Sequence, residues 1–116
     1  MKLEEVKEVL SAKILCGESL LDRNVEHFYA SDLMSDILAT VKEPGILITA
    51  MTQPQVVRTT QMLDLIGIIF VNGKTPPEET LKLARANEIL IMTTKYSMFE
   101  ACGKLYLALN RCERDR

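Results

Sequence analysis

The stretch IGIIFV, residues 66–71, restricts the fold more than any other. It is apolar and rich in β-branched side chains, with no polar residue on either alternating side. A strand with one wet face would show alternation, so this run suits a central strand covered on both faces. Covering both faces takes helices, and the rest of the chain supplies them in turn with further strands.

Leu3, Val6 and Leu10 repeat at helical spacing among Lys and Glu, which predicts an opening amphipathic helix. Residues 13–16 and 25–30 are strand candidates, the first closed by Gly17 and the second preceded by a polar turn at residues 22–24. Ser31 or Asp32 is expected to cap a helix over 33–40, since both carry oxygens that accept from free first-turn amides. Pro44-Gly45 breaks the chain before an apolar strand at 46–50. A helix over 53–64 follows, with Val56, Thr60 and Leu63 on one face. Asn72-Gly73 ends the central strand, and helix 76–86, strand 89–92 and helix 96–110 complete the chain.

Strand and helix alternate to the end, which implies a parallel sheet with right-handed crossovers. The expected fold class is α/β: one compact domain over residues 1–116, with a mostly parallel sheet flanked by helices. A length of 116 residues leaves room for one such core and not for two. Residues 110–116 read as a charged C-terminal tail, in which Arg111, Arg114 and Arg116 alternate with Glu113 and Asp115.

Gly73-Lys74-Thr75 resembles the end of a phosphate-binding loop, but the count fails. Such a loop needs a glycine five positions before Gly73, and that position is Ile68, inside the central strand. Pro76 and Pro77 also lack the amide donors a phosphate would use. The stretch fits a helix start better, with Thr75 at the N-cap, Pro76 in the first turn and Glu78 completing a capping box.

Other clusters are sparse. Asp32 and Asp36, spaced i and i+4, have no third acid to make a cation site, so no metal site is expected. Cys102 has no histidine near it in sequence and reads as a core thiol, and His27 reads as a structural residue within a strand. A more suggestive pattern is positional, because ligands of parallel sheets bind beyond the carboxyl ends of strands. Ser31, Asp32, Thr52, Gln53, Thr93, Thr94 and Lys95 all fall at such junctions and together suit a small anion or a nucleotide phosphate. The helix-capping preferences of Ser, Thr and Asp account for the same residues without any ligand.

The last helix carries two apolar stripes. Met98, Cys102, Leu105 and Leu109 form one, and Phe99, Gly103 and Tyr106 form a second beside it. Together they are broader than one core-facing side requires. The second stripe is therefore the candidate interface of a homodimer, where Gly103 would let a partner helix approach closely.

Hydrophobic residues at 47% and charged residues at 26% place the chain among globular domains rather than disordered ones. A net charge of -2 argues against nucleic acid as a partner, which calls for a concentrated basic face. No apolar run is long enough for a bilayer, so no membrane partner is expected. Three widely spaced cysteines and one histidine suit neither a disulfide framework nor a zinc site. A reducing, cytoplasmic setting is the expectation.

Four segments in order, ASDLMSDIL, ILITAMTQPQVVRTTQMLD, IIFVNGKTPPEE and TTKYSMFEACGKLY, resemble the small stand-alone DRTGG-domain proteins. The resemblance covers nearly the whole chain, and the last segment is its most specific part. The larger family is similar to the N-terminal domain of HPr kinase/phosphorylase, and occurs as an accessory domain in some phosphotransacetylases and CBS-domain pyrophosphatases. It implies a compact α/β fold with a regulatory or scaffolding role toward a partner protein, often through dimer contacts, with no catalysis and no cofactor. The sequence that names the family should follow the strand at 46–50, where this chain reads Met51-Thr52-Gln53-Pro54-Gln55. That signature is absent, so no role attached to it carries over.

Overall fold

The computed structural model describes residues 1–114, with side chains described through Arg111. Its elements in chain order are α1 (Leu3–Val9), β1 (Lys13–Cys16), a 3-10 turn (Glu18–Leu20), β2 (Phe28–Ala30), α2 (Met34–Thr40), β3 (Ile46–Thr49), α3 (Pro54–Met62), β4 (Gly67–Phe70), α4 (Glu78–Ala86), β5 (Leu90–Thr93) and α5 (Met98–Arg114). The five strands form one sheet in the order β1-β5-β4-β3-β2, in which β2 to β5 run parallel and β1 pairs antiparallel with β5. The α/β class and the mostly parallel sheet are as expected from the sequence.

Each step from β2 to β5 moves to the adjacent strand in one direction. Right-handed crossovers then put every connecting helix on the same face. Leu47, Ile68, Phe70 and Ile91 on that face pack with Ile37 of α2, Val56 and Val57 of α3, and Leu81 and Ala84 of α4. Ile46, Ile48, Ile69, Leu90 and Met92 point the other way, against Leu3 and Val6 of α1 and Ala101, Leu105 and Ala108 of α5. The central strand is buried at every position, which is why its sequence carries no alternation.

Several element ends differ from expectation for local reasons. The second strand begins at Phe28 rather than at 25, because the Val25 amide donates to the Met1 carbonyl at 2.7 Å and Asn24 bridges Lys2. Helix α4 begins at Glu78, with Pro77 extended at φ -64° and ψ 158°, so the box expected from Thr75 and Glu78 does not form. A residue before proline is pushed out of the helical region, which keeps Pro76 from starting the helix. Of the expected tail at 110–116, residues up to Arg114 continue α5; Asp115 and Arg116 lie outside the described residues.

Three helices stop in the same manner. Ser11, Asp64 and Glu88, just past α1, α3 and α4, have φ of 48°, 55° and 55°. The next amides reach back five residues, Ala12 to Lys7, Leu65 to Thr60 and Ile89 to Ala84, at 2.9 to 3.0 Å. This is the Schellman end, usually made with glycine. Asn72 and Gly73 are also left-handed, at 61° and 66°, and turn the chain out of β4.

Candidate functional site

The parallel strands all point their carboxyl ends toward one edge of the sheet, and the seven candidate ligand residues lie along it. Their polar groups knit adjacent junctions together. Asp32 is the clearest case. It does not cap α2, whose N-cap is Leu33 with no side-chain bond; its Oδ1 accepts from the Ala50 amide at 2.7 Å and the Thr49 hydroxyl at 2.9 Å. A carboxylate thus sits on the first free amide after β3 and ties the end of β2 to that of β3. Ser31, half-buried, accepts from the Leu33 amide at 3.0 Å, closing a turn before the helix. The pairing of Asp32 with Asp36 on one helical face does not arise, because Asp32 precedes α2.

The other junctions follow suit. Thr80 donates its hydroxyl to the Thr52 carbonyl at 2.7 Å, and the Thr93 hydroxyl reaches the Lys74 carbonyl at 2.7 Å. Thr94, buried, donates to the Leu10 carbonyl at 2.8 Å, fastening the end of α1 under the β5–α5 loop. The amides of Asn72 and Gly73 donate to the carbonyls of Tyr96 and Thr94. The Gly-Lys-Thr turn is therefore packed against the β5–α5 loop through its own backbone, with Lys74 exposed. Gln53 and Lys95 stand exposed at the same edge.

A second region lies at the edge strand. A cleft of about 340 Å³ opens between β2 and the middle of α5, lined by Phe28, Ile48, Cys102, Leu105, Tyr106 and Leu109, with Glu26 and His27 at one side. His27 precedes β2 and is exposed rather than held within a strand; its carbonyl accepts the Ile46 amide. Cys102 is half-buried in the cleft wall instead of in the core. Burial pushes its thiol, and that of Cys16, above the ordinary value. No hydrogen bond joins Cys102 to His27, and a raised thiol is the reverse of what a nucleophile needs. Among the described residues, no group of three His, Cys, Asp or Glu side chains could hold a metal. Nor is any described helix long and apolar enough to cross a membrane.

Helix α5 starts from a capping box that the sequence reading passed over. The Ser97 hydroxyl accepts the Glu100 amide at 3.2 Å while Glu100 Oε1 accepts the Ser97 amide at 3.3 Å. Ser-Met-Phe-Glu at 97–100 spells this motif in sequence. Lys104 lies 4.7 Å above the Tyr96 ring, a cation–π contact that holds the preceding loop to the first turns. In α5, Ala101, Leu105 and Ala108 pack into the core against the sheet while Phe99, Gly103, Tyr106 and Leu107 face outward.

No curated protein matches the chain in sequence. The fold is similar to the CBS and DRTGG domains of the regulatory region of Clostridium perfringens pyrophosphatase, which was solved with its activator diadenosine tetraphosphate. That likeness has a TM-score of 0.70 at 23% identity and covers 87% of this chain and 44% of the other. The chain therefore spans less than half of the length of that neighbour, and at this identity the likeness establishes the fold. Residues 5–108 match the DRTGG domain, and on that match the chain belongs to the DRTGG-domain family.

Proposed function

We propose that this domain is a non-catalytic regulatory element that self-associates through the outer face of α5 and so modulates a partner protein. The observation that carries this is the exposure of Phe99, Tyr106 and Leu107, at 87%, 68% and 65%. They flank Gly103, beyond whose Cα there is open space. At those exposures the three side chains present on the order of 400 Å² of apolar surface, a patch size that marks interaction sites on soluble domains. The presence of a DRTGG domain in the regulatory region of the clostridial pyrophosphatase supports the same role.

Sedimentation equilibrium from low to high micromolar concentration tests it. The wild type should run as a dimer and Phe99→Asp as a folded monomer. A wild type that stays strictly monomeric at high micromolar concentration would overturn the proposal.

A second reading rests on Gln53 and Lys95, which stand exposed at the carboxyl edge with Thr52 half-buried between Met51 and Gln53. There the domain would sense a small anion or nucleotide, as the clostridial regulatory region takes an activating dinucleotide. Ser31, Asp32, Thr93 and Thr94 would serve it by holding the junctions in place. Adenosine triphosphate and diadenosine tetraphosphate should then raise the melting temperature of the wild type and not of Lys95→Ala. No shift with either ligand would remove this reading.

A further inference from the structure

The two edges of the sheet are built differently. At β1, Lys13 is charged and the register slips between Ile14 and Cys16, a bulge that spoils the edge as a template. At β2, Phe28-Tyr29-Ala30 carries no charge, no proline and no register shift. The Ile46 amide donates to the His27 carbonyl and the Ser31 amide to the Ile48 carbonyl. In a parallel ladder those bonds turn residues 27, 29 and 31 toward β3, so Phe28 and Ala30 direct their peptide groups outward. Space is open on both sides of that edge. The cleft under α5 lies on one side, and a second of about 300 Å³, bounded by Asp36, Ile37 and Thr40 of α2, lies on the other.

We infer that the occupant of this edge is the β2 strand of a second copy, paired antiparallel so that two five-stranded sheets join into one. This rests on the self-association proposed above and specifies its geometry. A two-fold axis normal to the sheet pairs identical edges antiparallel and keeps both α5 helices on one face, where their outer stripes meet. Size favours the combined interface. The α5 stripe offers on the order of 400 Å² against the ~800 Å² per partner of a stable complex, so the helix alone falls short. Two outward residues on β2 are likewise too few to hold a dimer alone. Together they form one self-complementary surface, with the protruding Phe99 and Tyr106 beside an apolar cleft. Identical uncharged strands also meet without like-charge repulsion.

Ala30→Pro tests the edge, because it removes an outward amide and leaves the bonds to β3 intact. Measured by sedimentation beside the wild type and Phe99→Asp, it should weaken the dimer at least tenfold with unchanged circular dichroism. A dimer that survives Ala30→Pro at wild-type strength but is lost in Phe99→Asp would overturn the joined sheet and leave the helix-mediated dimer standing. A monomeric wild type would overturn both. Should Ala30→Pro fail to fold, amide exchange of the unmodified protein decides. The Phe28 and Ala30 amides should gain at least tenfold protection between dilute and concentrated samples, and equal exchange at both concentrations would refute the pairing.

Discussion

Gly45→Ala should cost the fold far more than one methyl group suggests. A Cβ on Gly45 would stand 2.1 Å from the His27 carbonyl oxygen and 2.8 Å from its carbon. Both are backbone atoms, so no rotamer change relieves the clash. The same carbonyl accepts the Ile46 amide at 3.0 Å, beside the first β2–β3 pair. To restore contact, β2 must move back by about 1 Å, which breaks that bond. Overpacking costs about 1–3 kcal/mol and the lost hydrogen bond about 1 kcal/mol more. A total of about 2–4 kcal/mol is a large share of the 5–15 kcal/mol that holds a domain together, and corresponds to a melting temperature lower by roughly 8–20 °C. Gly103→Ala is the internal control. Its added methyl meets no atom within 4 Å, so it should stabilise the monomer by about 1 kcal/mol through helix propensity. If two α5 helices meet there, the same methyl should loosen the dimer. Urea titrations followed by far-ultraviolet circular dichroism read both variants. The reasoning is refuted if Gly45→Ala lies within about 0.5 kcal/mol of wild type, or if the two substitutions move monomer stability in the same direction.

Asp32→Ala should cost about 2 kcal/mol in the same titration, because it strips the acceptor from the Ala50 amide and leaves the buried Thr49 hydroxyl, which still accepts from the Met51 amide, with nothing to donate to. Asp32→Asn keeps an acceptor oxygen and should lose about half as much; equality of both variants with wild type would refute the latch. Ser97→Ala should remove about 1 kcal/mol and fray the first turn of α5, seen as faster amide exchange at residues 99 and 100. Glu88→Gly should raise stability by about 0.5–1 kcal/mol, since φ of 55° strains a side chain there, and a loss of stability would contradict that.

Much of the fold was legible because its signals are local. The unbroken apolar run at 66–71 marks a strand covered on both faces, and the loss of alternation is what a buried parallel strand must show. The Phe99, Gly103 and Tyr106 stripe was also readable, since the spacing of a long helix fixes which residues share a face. What escaped the sequence depends on partners distant along the chain. Asp32 looked like a helix cap because its neighbours are helical; only the closeness of β3, eighteen residues on, gives its carboxylate to Ala50. The Thr75-Pro-Pro-Glu78 box failed through a local rule that was present in the sequence, the effect of Pro77 on the residue before it. The cleft beside β2 had no signal at all, because Phe28, Cys102 and Leu109 meet only after α5 folds back across the sheet.

The cleft follows from the topology. Five strands about 4.8 Å apart make a sheet roughly 24 Å wide, and helices pack at about 8–10 Å centres. Three helices span that width, so α2, α3 and α4 can close their face. The opposite face has only α1 and α5, because every βαβ crossover went to the first. Two helices cover roughly 20 Å, which leaves about one strand exposed. With α1 held near the end of β5, beside edge strand β1, by the Thr94–Leu10 bond, α5 must cover the remainder, and the uncovered strand is β2. A chain with these crossovers and only two helices on its second face therefore ends with an apolar step beside an open strand. The outer stripe of α5 extends apolar surface up to that step, where a monomer with nothing to bury would be expected to turn polar. This continuity is the physical reason for the proposal that the domain associates through β2 and α5 rather than acting through its raised thiols or its Gly-Lys-Thr turn.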